Sequence, residues 1–152
     1  MQDAFTPIIN AVADVAGKAL ASEEPHPRIE VGGTAALGPF AVVVFETPEA
    51  VSITSQTTST MALNAPRGLY RLEFTVGAQM WATQKTLSAA GEMVNRWFTE
   101  FMRELALDKT LGGTCVNAVP FYGSSGSVSK DRAMLAAINF GVRVTADFNP
   151  KR

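Results

Sequence analysis

Hydrophobic positions change their spacing several times along the chain, and each change marks an element. From Asp3 to Ala21 apolar residues recur every three or four positions, at Ile8 or Ile9, Val12, Val15 or Ala16, and Ala19-Leu20. That spacing predicts a helix. Thr6 followed by Pro7 predicts its start as an N-cap and a first-turn proline. The run Ser22-Glu23-Glu24-Pro25-His26-Pro27 ends it, because proline cannot continue the hydrogen-bond ladder. Arg28 to Val31 reads as a short strand, and Gly32-Gly33 and Gly38-Pro39 as loops or bends. Phe40 to Phe45 is apolar and rich in β-branched residues, the pattern of a strand buried on both faces. Glu46-Thr47-Pro48-Glu49 reads as a turn. Val51 to Met61 reads as a strand that fades into a hydroxyl-rich flexible loop, and Asn64 to Gly68 as a turn.

The second half is more strongly patterned. Tyr70, Leu72, Phe74 and Val76 alternate with Arg71, Glu73 and Thr75, which predicts a half-buried strand. From about Thr83 to Leu107 a broad apolar stripe runs through Leu87, Ala90, Val94, Trp97, Phe98, Phe101, Met102 and Leu105. Such a stripe is one face of a long helix. Gly112-Gly113 ends this region. Thr114 to Tyr122 reads as a strand at an edge or bulge, because Pro120 interrupts it. Gly123 to Ser127 reads as a flexible loop. In the final strand Met134, Ala136, Ile138, Phe140, Val142, Val144, Ala146 and Phe148 share one face. The expected fold is α+β, a mostly antiparallel (mixed) β-sheet with two helices packed on one face, in a single domain over residues 1–152.

Composition narrows the function classes. The net charge is −1, which argues against a global positive field for nucleic acid. Charged residues make up only 18% of the chain and hydrophobic residues 47%. Two readings fit that balance: a surface partly hidden in a partner, or an ordinary core rich in small residues. The single cysteine, Cys115, excludes an intramolecular disulfide and a cysteine-based zinc cluster. Reading Cys115 as a strand start with no basic neighbour predicts a buried, inert thiol. No apolar run is long enough for a membrane helix, and the start Met1-Gln2-Asp3 lacks signal-peptide character, so synthesis in a reducing cytoplasm is expected.

Catalytic patterns are sparse. His26, the only histidine, sits between two prolines and reads as an exposed loop residue. Gly33 to Gly38 has the glycine spacing of a phosphate loop, but Pro39 and Phe40 stand where lysine and a hydroxyl are needed. Ser127 or Ser129 with Lys130 suggests a Ser–Lys dyad only on paper, since a mobile loop preorganises poorly. Trp81, Trp97, Phe98 and Phe101 line either a ligand pocket or, at helical spacing, the core. No catalytic residue, metal or cofactor is expected.

The segment Leu87 to Ala146 carries a resemblance. A long amphipathic helix runs into Asp108-Lys109-Thr110-Leu111-Gly112-Gly113, then a strand, a variable loop and an alternating strand ending Phe140-Gly141-Val142-Arg143-Val144-Thr145-Ala146. This order resembles the tail-terminator and minor tail (tail-completion) proteins of long-tailed bacteriophages. Asp108 and Thr110 suit side-chain turns that stop the helix, Leu111 suits a plug into the core, and Gly112-Gly113 suit a chain reversal. Arg28 to Pro66 matches the family less well. The resemblance implies a non-enzymatic virion protein, made in the host cytoplasm, that forms a hexameric ring. Such a ring caps the tail tube, stops its growth and offers a docking surface to the head. Its implied partners are further copies of the chain, the tail tube protein and a head-completion or connector protein. Candidate contact residues lie in two hydroxyl-rich stretches: Thr54, Gln56, Thr58 and Ser59 in one, Ser124, Ser125, Ser127 and Lys130 in the other. The edge strand Thr114 to Tyr122 is a further candidate face for head-to-tail contact. Other readings are a head-completion or neck ring, a secretion-system component of related design, and a small-molecule-binding or enzymatic domain around Trp81 and Trp97.

Overall fold

A computed structural model gives the architecture, and it describes residues 3–33, 38–55, 69–130 and 132–149. The elements follow in the order α1 (Thr6–Ala19), β1 (Arg28–Val31), β2 (Phe40–Val44), β3 (Glu49–Ser55), β4 (Tyr70–Gln84), α2 (Leu87–Leu107), β5 (Asn117–Lys130) and β6 (Ala133–Phe148). The fold is α+β. Six strands form one mixed sheet in the order β1-β2-β4-β6-β5, with β3 also paired to β4. Among the described residues only β1 and β2 run parallel; the other pairs are antiparallel.

β4 and β6 form the spine. They pair without a break from Tyr70↔Phe148 to Gln84↔Met134. Leu72, Phe74, Val76, Ala78, Met80 and Ala82 from β4 share a face with Ala136, Ile138, Phe140, Val142, Val144 and Ala146 from β6. Both helices bury their stripes on this face. α1 contributes Ile8, Ile9, Val12, Val15 and Ala16, and α2 contributes Ala90, Val94, Trp97, Phe98, Phe101 and Leu105. Phe98 and Phe101 meet Phe140 edge-on, at 5.5 and 5.1 Å between ring centroids. Such offset pairs strengthen a core beyond the area they bury.

Several boundaries differ from the sequence reading. Thr6 is the first helical residue of α1, not its cap. Asp3 takes the capping role: its Oδ1 accepts from the backbone N–H groups of Phe5 and Thr6 at 2.8 and 2.6 Å. α2 starts at Leu87, not near Thr83, because β4 keeps its pairing with β6 as far as Gln84. Thr86 caps α2 by accepting from Ala89 N–H at 3.1 Å. Glu46 to Glu49 does not reverse the chain. β2 and β3 lie in line along one side of β4, β2 against Ala78–Ala82 and β3 against Tyr70–Thr75.

The largest difference concerns Gly123 to Ser127. It is strand, not loop: β5 continues through it to Lys130, paired to β6 from Ser124↔Asn139 to Lys130↔Ala133. A register shift between Tyr122 and Ser124 leaves Gly123 unpaired. A β-carbon at Gly123 would lie 2.8 Å from Asn139 O, so the irregularity requires glycine there.

Among the described residues, the opposite face of the sheet carries no helix. There Trp81 packs on Ala41 and Val43 and donates its indole N–H to Gly38 O at 3.0 Å. Phe45 lies over Gly77 and Phe121 over Gly141, two glycines that pair directly in the middle of β4 and β6. Arg143 stacks on Phe121 at 5.5 Å, and Arg71 bridges to Asp147 at 3.0 Å. The Asp147 carboxylate beside it raises the Arg71 pKa.

Candidate functional site

The turn after α2 is built as its residues suggest. Asp108 closes the helix, and its Oδ1 accepts from Gly112 N–H at 2.9 Å. Thr110 Oγ1 accepts from Gly113 N–H at 3.3 Å. Leu111, Gly112 and Gly113 all adopt positive φ, at 50°, 69° and 85°. Leu111 does so although a left-handed conformation is unfavourable for leucine. Its side chain is 1% exposed, so burial in the core holds it there. The turn redirects the chain from α2 into β5, with Val116 N–H donating to Thr145 O at 2.8 Å.

β5 is one edge of the sheet. Among the described residues no strand pairs with its outer side. Val116, Val119, Tyr122 and Val128 are exposed there, at 46%, 49%, 50% and 58%. Pro120 sits within this edge, a placement that blunts strand pairing locally. From Gly123 onward the edge carries serine, glycine and Val128 only, up to Ser129, and every one of these residues is exposed.

The other edge is stepped. β1 lies outside β2, while β3 lies directly against β4 with nothing beyond it among the described residues. All seven residues of β3 are exposed. Val51 and Ile53 are 42% and 63% exposed, and Ile53 stands opposite the buried Leu72, on the helix side of the sheet. Exposed branched aliphatics on a free strand edge are the usual signature of a surface that pairs.

The candidate contact residues therefore stand differently from a pair of loops. Thr54 belongs to β3, and Ser124, Ser125, Ser127 and Lys130 belong to β5. The sheet places these two groups on opposite edges, with β4 and β6 between them. Gln56, Thr58 and Ser59 lie outside the described residues.

Other candidates do not converge. Trp97 is fully buried against the helix face, whereas Trp81 lies on the opposite face, so the two line no common pocket. Trp97 Nε1 has no hydrogen-bond partner among the described residues. Ser127 and Ser129 stand in β5, their strand neighbours across the sheet being Ala136 and Met134. His26 is exposed, its Nδ1 3.0 Å from Leu20 O. It lines a shallow groove with Asp14, Lys18 and Arg28. Cys115 is half-buried in the turn before β5, rather than at the start of a strand. Burial pushes its thiol pKa up to about 11. Among the described residues no group of three or more His, Cys, Asp or Glu is placed to hold a metal ion. No helix among them is long and apolar enough to cross a membrane.

No protein-family model matches the chain, and no curated protein is detectably similar to it in sequence.

Proposed function

We propose that this chain is a structural subunit that joins head-to-tail with copies of itself into a closed ring, acting as a tail-terminator cap. One observation carries the reading: among the described residues β3 and β5 have no strand on their outer sides, and they stand on opposite sides of a single sheet, β3 on the side whose step ends in β1. A heterologous contact needs two different complementary surfaces on one subunit, and repetition of such a contact closes a ring when the rotation allows. The directions also agree. β3 and β6 run antiparallel to β4, and β5 runs antiparallel to β6, so β3 and β5 run in opposite directions. Two copies set side by side in the same orientation therefore present an antiparallel pair, the commoner arrangement in sheets.

The resemblance of the Asp108 to Gly113 turn and its flanking elements supplies the biological setting. In that setting the ring ends tube growth and offers its outer face to a head-completion protein. Its axial partner is the tail tube protein. Size-exclusion chromatography with light scattering, followed by negative-stain microscopy, tests the reading. Rings of uniform subunit number are expected. A strict monomer at every concentration, with tail tube protein present or absent, refutes it.

A further inference from the structure

The two edges have shapes that dictate how they meet, given the self-assembling reading above. We infer that β3 of one copy pairs with the Ser124–Ser129 half of β5 in the next, and not with the half that contains Pro120. Height along the sheet decides which half can dock. Register places Tyr122 level with Ala78 of β4, through Phe140, and Ser129 level with Gln84, through Met134. It also places β1 level with Ala78 to Trp81, since Val31 pairs Val44 and Arg28 pairs Ala41. A neighbour docked at equal height would drive the upper half of its β5 into the column that β1 occupies. The neighbour must slide along the strand axis until the end of its β5–β6 hairpin clears β1. That slide brings Ser124–Ser129 beside Glu49–Thr54. A stagger between strands is also what closure of a sheet demands.

Side-chain chemistry agrees with this register. Ser124 to Ser129 contains no proline, so no outward-pointing N–H of this half is missing from an outer ladder. Its small side chains let another backbone approach closely. On the helix side, Ser125 and Ser127 pair with the buried Ile138 and Ala136. Above them the first turns of α2 overhang an open groove of about 410 Å³, lined by Leu87, Gly91, Val94, Tyr122, Ser125 and Ser127, among others. Leu87 is 42% exposed at its rim. Gly91 leaves open space where a side chain would stand. The exposed Ile53 of β3 is on the helix side too, with Val51 two residues away along the strand. Pairing in the staggered register seats these aliphatics from one copy in the groove of the next. The occupant of the groove is thus a second copy of this chain.

Paired cysteines test the register. In a Cys115→Ala background, the double variant Ile53→Cys with Ser127→Cys is oxidised and run on a non-reducing gel, with Ile53→Cys/Ser125→Cys reporting the adjacent register. Two strands separate β3 from β5 within one copy, so an intramolecular bond is sterically excluded. A ladder of covalent oligomers from either pair is expected, and mixing the two single-cysteine proteins should stop at the dimer. Rings seen by microscopy without a ladder from either pair, or with one only from Ser52→Cys/Val119→Cys, whose side chains share the helix-free face, overturn this pairing but leave the ring intact. An uncrosslinked monomer with no rings at any concentration overturns both. As an independent readout, Ile53→Asp should weaken association by roughly tenfold or more while the far-ultraviolet circular dichroism stays unchanged. Unaltered association in Ile53→Asp counts against the groove.

Discussion

The opposed glycines at the centre of the sheet allow a sharp test of how tightly it is built. Gly77 and Gly141 are direct partners, and each lies beneath an aromatic ring, yet alanine should behave differently at the two sites. At Gly141 a β-carbon would lie 2.7 Å from Val76 O and 2.8 Å from two atoms of the Phe121 ring. The carbonyl belongs to the central ladder and has no room to retreat. Overpacking of this kind costs about 1–3 kcal/mol. Replacing glycine within a strand returns about 0.5–1 kcal/mol. The net expectation for Gly141→Ala is a loss of about 1–2 kcal/mol. For a domain of this size that lowers the Tm by about 2–8 °C. At Gly77 the β-carbon meets only side chains, Phe45 at 2.9 Å and Glu49 at 3.9 Å. Phe45 is 37% exposed and free to swing outward, so Gly77→Ala should stay within about 0.5 kcal/mol of the parent. Urea denaturation followed by tryptophan fluorescence measures both. Two double variants locate the cause. Phe45→Ala should cancel any cost of Gly77→Ala, whereas Phe121→Ala should leave most of the Gly141→Ala cost in place. If Gly141→Ala proves as stable as the parent, or if Phe121→Ala rescues it fully, the backbone clash is not the governing contact.

Two further outcomes follow from the turn between α2 and β5. Leu111→Ala removes a side chain that is 1% exposed and should cost about 2–5 kcal/mol, measurable in the same urea titration. A loss below 1 kcal/mol would mean that the leucine does not anchor the turn. The Cys115 thiol, with its pKa pushed up to about 11, should label slowly. At pH 8 its thiolate fraction is on the order of a hundredfold below that of a free cysteine, so iodoacetamide modification should slow to match. The rate should still be climbing between pH 9 and 10, where a free thiol is nearing its plateau; a plateau at pH 9 would contradict the burial.

Elements whose local pattern agrees with their final environment were legible in the sequence. β6 alternates apolar and other residues over its length because one face meets the core and the other does not. α2 shows its stripe because one side of a helix packs on the sheet. The Asp108 to Gly113 turn was legible because side-chain turns and left-handed glycines act within a few residues. The continuation of β4 to Gln84 was not, since the small residues Ala78 and Ala82 weaken the alternation around Met80 and Trp81. Nor was the strand character of Gly123 to Lys130, where serine and glycine carry no period.

The sequence by itself determined most of the residues that turn inward, because the hydrophobic effect acts on each helix and strand through its own periodicity, although Leu87 and Met102 of the expected α2 stripe stay exposed. It also determined the α+β class and the turn that feeds the last two strands. The tertiary structure alone decided that a glycine-serine stretch becomes an edge strand, because the backbone of β6 supplies hydrogen-bond partners that no local preference of the stretch reveals. It decided as well that Thr54 and Ser124 stand in strands on opposite edges rather than in two flexible loops. Strand order is set by contacts between residues far apart in the chain, and a local pattern holds no record of them.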